Sequence, residues 1–177
     1  MTRIVLIYGI IAGLIVAVPM VALMLLLTEQ TAPDHGAFFG YLTMIVALTA
    51  VFLGVKRYRD RVHGGVVRFV PALMIGLGIS VVASLIYVVG WEISIAASGF
   101  DLGAIYSRGA IEAARAAGAP EAEIQRVAEQ AAAFARLYAN PLYRLPITFV
   151  EIFPIGVVIS LIAAALLRNS RFLPARR

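Results

Sequence analysis

Apolar residues fall in four long runs, Ile4 to Leu27, Ala37 to Val55, Phe69 to Ala97 and Leu145 to Leu167, and the segments between them gather almost all the charge. An α-helix needs about 20 apolar residues to cross ~30 Å of hydrocarbon, and each run meets that requirement. The pattern therefore predicts four membrane-crossing helices. Between Ser98 and Asn140 the pattern changes to Ala, Glu and Arg with almost no β-branched residues, a helix-forming composition too polar for a span. Two helices are expected there. The first runs from Leu102 to Ala117 and stops at Gly118. The second opens with Pro120 in its first turn and with Glu121 and Glu123, whose carboxylates suit a helix N-terminus. Ile124, Val127, Ala131, Phe134 and Tyr138 recur every three or four residues and give this second helix one apolar stripe.

The expected fold class is all-α: a polytopic membrane protein with one four-helix transmembrane domain over residues 1–177. An extracytoplasmic helical hairpin, residues 98–144, is inserted between the third and fourth spans. The outer connection from Thr28 to Gly36 is short and holds Pro33, and the inner connection turns at Gly64 and Gly65. Spans one to three should run up, down and up. Pro19 and Pro154 are expected to kink their helices, as neighbouring spans tolerate the lost backbone bond.

Composition agrees with a bilayer solvent. Hydrophobic residues make up 62% of the chain and charged residues 14%, too little polar surface to cover a water-soluble domain. The net charge of +5 could suggest nucleic acid, yet the basic residues flank the apolar runs, so no nucleic-acid partner is expected. Arg3, Lys56, Arg57, Arg59, Arg61, Arg68, Arg168, Arg171, Arg176 and Arg177 all fall on one side of the four spans. Basic residues mark the cytoplasmic side, so both termini are expected there. The first run is too long for the ~7–15-residue core of a signal peptide and is read as a retained span. There is no Cys, which excludes disulfides, thiol catalysis and Cys-held metal.

Glu92 and Glu151 are the carboxylates inside apolar runs, each about six residues, roughly 9 Å, from the outer end of its span. Ionisable groups at such depth are by default functional candidates. One reading makes them a ligand, proton or cation site; the other makes them structural fasteners bonded to Trp91, Thr148, Tyr143 or Arg144. Small residues recur every fourth position: Gly9, Gly13 and Ala17 in span one, Gly76, Ser80 and Ser84 in span three, Gly156, Ser160 and Ala164 in span four. Such stripes let helix backbones approach closely, either within the bundle or between two copies. Lys56, Arg57, Arg59 and Arg61 can hold anionic lipid headgroups or simply anchor orientation. His35 and His63 lie in loops on opposite sides, so they cannot share a metal, and neither a metal nor a cofactor is expected. No HExxH, phosphate-binding loop or Ser/His/Asp set is present, which argues against an enzyme.

Three stretches carry a family resemblance. GYLTMIVALTAVFLGVKRYRD from Gly40 to Asp60 leads through Gly64 and Gly65 to a span ending in Tyr87, Gly90 and Trp91, and the last span reads NPLYRLPITFVEIFPIGVVISLIAAALLRN. GAPEAEIQRVAEQAAAFARLYANP fills the segment between. From about Gly40 onward the chain resembles the bacterial domain of unknown function 4199 family. That resemblance implies a four-span protein of the bacterial cytoplasmic (inner) membrane with a long outer segment, and it brings no activity and no site residues. The first functional expectation is a non-enzymatic subunit that self-associates or binds another membrane complex, with membrane lipids around it. The alternative is a small oligomeric proton- or cation-coupled transporter or channel using Glu92 and Glu151. A third reading is an outer-face lipid-binding or lipid-modifying protein, with the hairpin as a lid over a rim of Asp34 and His35.

Overall fold

The computed structural model describes residues 1–26, 36–62, 64–99 and 101–174. Asp34, His35 and His63, and with them the expected outer rim, lie outside the described residues. Among the described residues six helices follow one another: α1 (Thr2–Leu26), α2 (Gly36–Val62), α3 (Phe69–Ser98), α4 (Leu102–Ala116), α5 (Glu121–Tyr138) and α6 (Pro141–Leu167). The described residues contain no strand, so the chain is all-α. Among the described residues three helices, α1 over Thr2–Leu25, α3 and α6, are long and apolar enough to cross a membrane. In α2 the apolar run gives way to Lys56, Arg57, Arg59, Asp60 and Arg61 in the last two turns.

Local signals explain where the elements begin and end. After α2, Gly64 and Gly65 adopt positive φ, and the Gly65 amide closes on the Arg59 carbonyl at 3.0 Å. An L side chain is disfavoured in that backbone region. Asp101 accepts the Ala104 amide at 2.9 Å and caps α4. Gly118, at φ 71, ends it. Pro120 is the N-cap of α5, one position earlier than the first-turn place expected for it. Asn140 accepts the Leu142 amide at 3.0 Å, with Pro141 at the first position of α6, where a missing N–H costs nothing. α1 runs through Pro19 and α6 through Pro154 as single helices.

The chain forms two compact units. The first comprises Met1–Ser94 and the chain from Thr148 onward; the second is Ile95–Ile147, so the boundary falls inside α3 and α6. In the first unit, Met44, Leu48, Val51, Val55 and Tyr58 of α2 pack with Ile75, Ile79 and Tyr87 of α3 and Ile152, Ala163 and Leu167 of α6. α1 buries small residues, Gly9, Ala12, Gly13 and Ala17, and turns Leu6, Ile7, Ile10, Ile11, Leu14 and Val18 outward. On α1, large apolar side chains outside and small residues inside are the reverse of a helix in a water-soluble bundle, where exposed apolar patches rarely exceed a few hundred Å². The distribution fits a bilayer solvent. In the second unit α4 and α5 form a hairpin whose contact carries Tyr106, Phe134 and Tyr138, with ring centres 4.9 and 5.5 Å apart. Ile124 and Ala131 of the expected stripe are its buried residues.

Candidate functional site

Close helix crossings come first, because they set what the other side chains can reach. Gly76 and Ser80 of α3 face Ser160 and Gly156 of α6 in reciprocal order, which makes the two helices antiparallel here. A methyl group on Gly76 would lie 2.8 Å from Ser160 Cβ, and one on Gly156 2.7 Å from Ser80 Cβ. The Ser80 and Ser160 hydroxyl oxygens are 3.3 Å apart, and each also reaches the carbonyl four residues back, Gly76 at 3.0 Å and Gly156 at 2.7 Å. With one proton each, they divide themselves between the cross-helix and the local bond. A second crossing joins α1 to α3: methyl groups on Gly9 and Gly13 would come 2.5 Å from Val82 Cβ and 2.6 Å from Ile86 Cβ, and Ala17 seats against Gly90. Gly9, Gly13, Gly76, Ser80, Gly156 and Ser160 therefore each meet a helix of the same chain. Within one chain these faces are already occupied.

Glu151 is level with Tyr87 across the α3–α6 contact, and the Tyr87 hydroxyl donates to its Oε2 at 3.2 Å. Thr148, Ile152 and Gly156 of α6 are buried, while Glu151 lies on the exposed side beside Val150 and Pro154. Glu92 follows Tyr87 by five residues, which on an α-helix is ~7.5 Å along the axis and about 140° around it. It leaves α3 from a different face, partly buried. Of the four expected fasteners, Thr148 is buried and Arg144 donates to the Tyr138 carbonyl at 3.2 Å, its guanidinium 5.8 Å from that ring.

The charged end of α2 divides by face. Arg59 is wholly buried, at 0% exposure. Its Nε donates to Asp60 Oδ1 at 2.7 Å, one terminal nitrogen to the Phe172 carbonyl at 2.8 Å, and the other to the Leu173 carbonyl. Phe172 sets its ring edge-on to Phe52, and Leu173 takes a positive φ of 49°. The tail after α6 thus closes over the end of α2. The expectation that Arg59 faces lipid headgroups is corrected by this burial: every nitrogen of its fork is turned to an internal acceptor. Asp60 accepts Lys56 as well. Burial pushes the Asp60 carboxyl up, but the hydrogen bonds and charges of Lys56 and Arg59 outweigh it and hold the carboxyl below its ordinary value. Arg57 and Arg61 stay exposed and, with Tyr8, Leu53, Lys56 and Asp60, line an open cleft of about 270 Å³.

The second unit has its own open cleft, about 620 Å³, between the start of α4 and the end of α5, with Arg136, Arg144, Asp101 and Ser107 among its walls. Arg136 Nε turns back to the Ala132 carbonyl at 3.3 Å. No group of three His, Cys, Asp or Glu that could hold a metal occurs among the described residues.

The profile of a family described as protein of unknown function (DUF4199) matches residues 7–169. The chain belongs to that family. The match reaches back through α1, beyond the Gly40 start that the sequence motifs alone support. No curated protein and no solved structure matches the chain. Two features of this DUF4199 chain escape a reading by charge and run length. Tyr87 counts as an aromatic in an apolar run until its hydroxyl is placed beside Glu151. Arg59 counts with its basic neighbours, yet Leu48, Val51, Val55 and Arg59 keep the three- and four-residue spacing of the buried face of α2. That spacing is the signal that could have found it.

Proposed function

We propose that this DUF4199 protein is a four-span, non-enzymatic protein of the bacterial inner membrane that acts by lateral self-association through the exposed face of α6. In this reading α2 is the second span and both termini are cytoplasmic, supported by the ten basic residues that then share one side. One observation carries the functional part. Glu151 lies in an apolar helix and on the surface of the chain, next to exposed Val150, Pro154 and Val158. A carboxyl group in that position is costly against lipid; the Tyr87 hydroxyl meets its Oε2 from within the chain, and a second polar neighbour on the exposed side would lower the cost further. An isologous contact of two copies supplies one, because two carboxyl groups sharing a proton make a self-complementary hydrogen bond. The small-residue seams do not serve this purpose, being filled inside each chain.

Neither cleft described above is lined by Glu92 or Glu151. Absence of native Cys makes the test direct. Val158→Cys, oxidised in native membranes, is expected to give a disulfide-linked dimer, and Glu151→Leu in the same background to reduce its yield severalfold. A monomer under all oxidising conditions, or equal dimer yields from Val158→Cys and from Leu85→Cys on the exposed side of α3, would overturn the reading.

A further inference from the structure

The cleft at the charged end of α2 combines features that point to a particular ligand. Leu53, Arg57 and Arg61 are four residues apart and share one helix face, all exposed. Lys56 borders the same space, and its floor is the Tyr8 side chain of α1. Gly54 makes that floor possible: a methyl group there would lie 3.0 Å from Tyr8 Cγ, so only the bare backbone lets the ring seat against α2. Asp60 also faces the cleft, yet its two oxygens are taken by Lys56 and Arg59. Three cations, Lys56, Arg57 and Arg61, against one carboxylate leave the cleft lining formally at +2.

We propose that this cleft binds the phosphate headgroup of an anionic phospholipid. Arg57 and Arg61 offer the two-pronged N–H pairs that match phosphate oxygens, and Lys56 adds a point charge. Tyr8, two turns into α1, sits where aromatic rings meet headgroups, and Leu53 provides an apolar wall along which an acyl chain can leave. A volume of about 270 Å³ holds a headgroup and leaves the chains in the bilayer. Arg59 has a different part: it faces inward, anchors the tail and, with Lys56, occupies the carboxylate that would otherwise repel a phosphate. The apolar wall is what favours a lipid over a free anion. Self-association through α6 is not required, so the two ideas fail separately.

The test uses the full-length protein, delipidated in neutral detergent and titrated with phosphatidylglycerol, phosphatidylcholine or inorganic phosphate, bound lipid being counted by native mass spectrometry. Phosphatidylglycerol is expected to bind at least tenfold more tightly than phosphatidylcholine. At about 1 kcal/mol per basic residue, Arg57→Gln/Arg61→Gln should weaken it about thirtyfold. Both guanidinium groups are exposed, so this variant keeps its fold, which its helical spectrum checks. Arg168→Gln/Arg171→Gln removes the same charge elsewhere and should leave binding within about twofold of the parent. Equal losses in the two double variants would reduce the site to a diffuse field. Inorganic phosphate competing as well as the lipid would make it a free-anion site. No preference over phosphatidylcholine would leave the basic face to an acidic protein partner. Each of these three results overturns the proposal.

Discussion

Arg59 and Asp60 set the chemistry of the α2 end at the scale of single side chains. The guanidinium is cut off from solvent and relies on one carboxylate and two carbonyls, so removing the carboxylate strands a buried charge. Asp60→Ala is expected to destabilise the protein by about 3 kcal/mol, the lower end of the range for breaking a buried pair, because Asp60 itself is partly exposed. Arg59→Met, which removes the charge and keeps the volume, should cost less; unfolding in detergent by denaturant measures both. Asp60 also gives a pH signature. A carboxyl held below its ordinary value of 3.8 contributes stability that is complete above that value and is lost as pH falls through the lowered one. The parent should therefore hold this contribution from neutral pH to about 4 and lose it below, whereas Asp60→Asn should lack that acid-side step.

Among elements, the α3–α6 seam is sensitive to a single methyl group. Gly156→Ala places Cβ 2.7 Å from that of Ser80, with rigid helix on both sides, and should cost about 1–3 kcal/mol as overpacking. Ser80→Ala should cost less, about 0.6 kcal/mol, because its hydroxyl already divides itself between the partner helix and the Gly76 carbonyl. In the second unit, Asp101→Ala removes the cap on α4 and should cost about 1 kcal/mol, read as earlier melting of the helical signal. This scale was also the most legible in the sequence. Gly118 and Pro120 bracket the turn between α4 and α5 as their backbone chemistry requires, and run length marks α1, α3 and α6. Partners across the chain were harder to read, since Tyr87 with Glu151 and Arg59 with Phe172 depend on which helix faces meet, which no local spacing encodes. The direction of Arg59 was legible in principle, through the buried-face spacing of α2, but charge type outweighs period when a basic run is read as a flank.

For the whole molecule, the consequence of so many exposed large apolar side chains is dependence on a surrounding apolar phase. Detergent removal should cause aggregation rather than unfolding to a soluble chain, because Leu6, Ile10, Leu14 and Val18 already face outward in the folded state. The proposed orientation is checked by cysteine labelling with a membrane-impermeant maleimide. Val66→Cys, exposed after α2, should react only once cells are opened, and Ala117→Cys, exposed after α4, in intact cells. The reverse pattern would invert the topology.

The clasp on Arg59 also fixes an order of events during synthesis. Its guanidinium is made 113 residues before the Phe172 carbonyl that receives it, so α3 to α6 must all leave the ribosome while this cation has no final seat. Until then the end of α2 has reason to stay in water or among headgroups, and the segment after α6 acts as the latch that lets it settle.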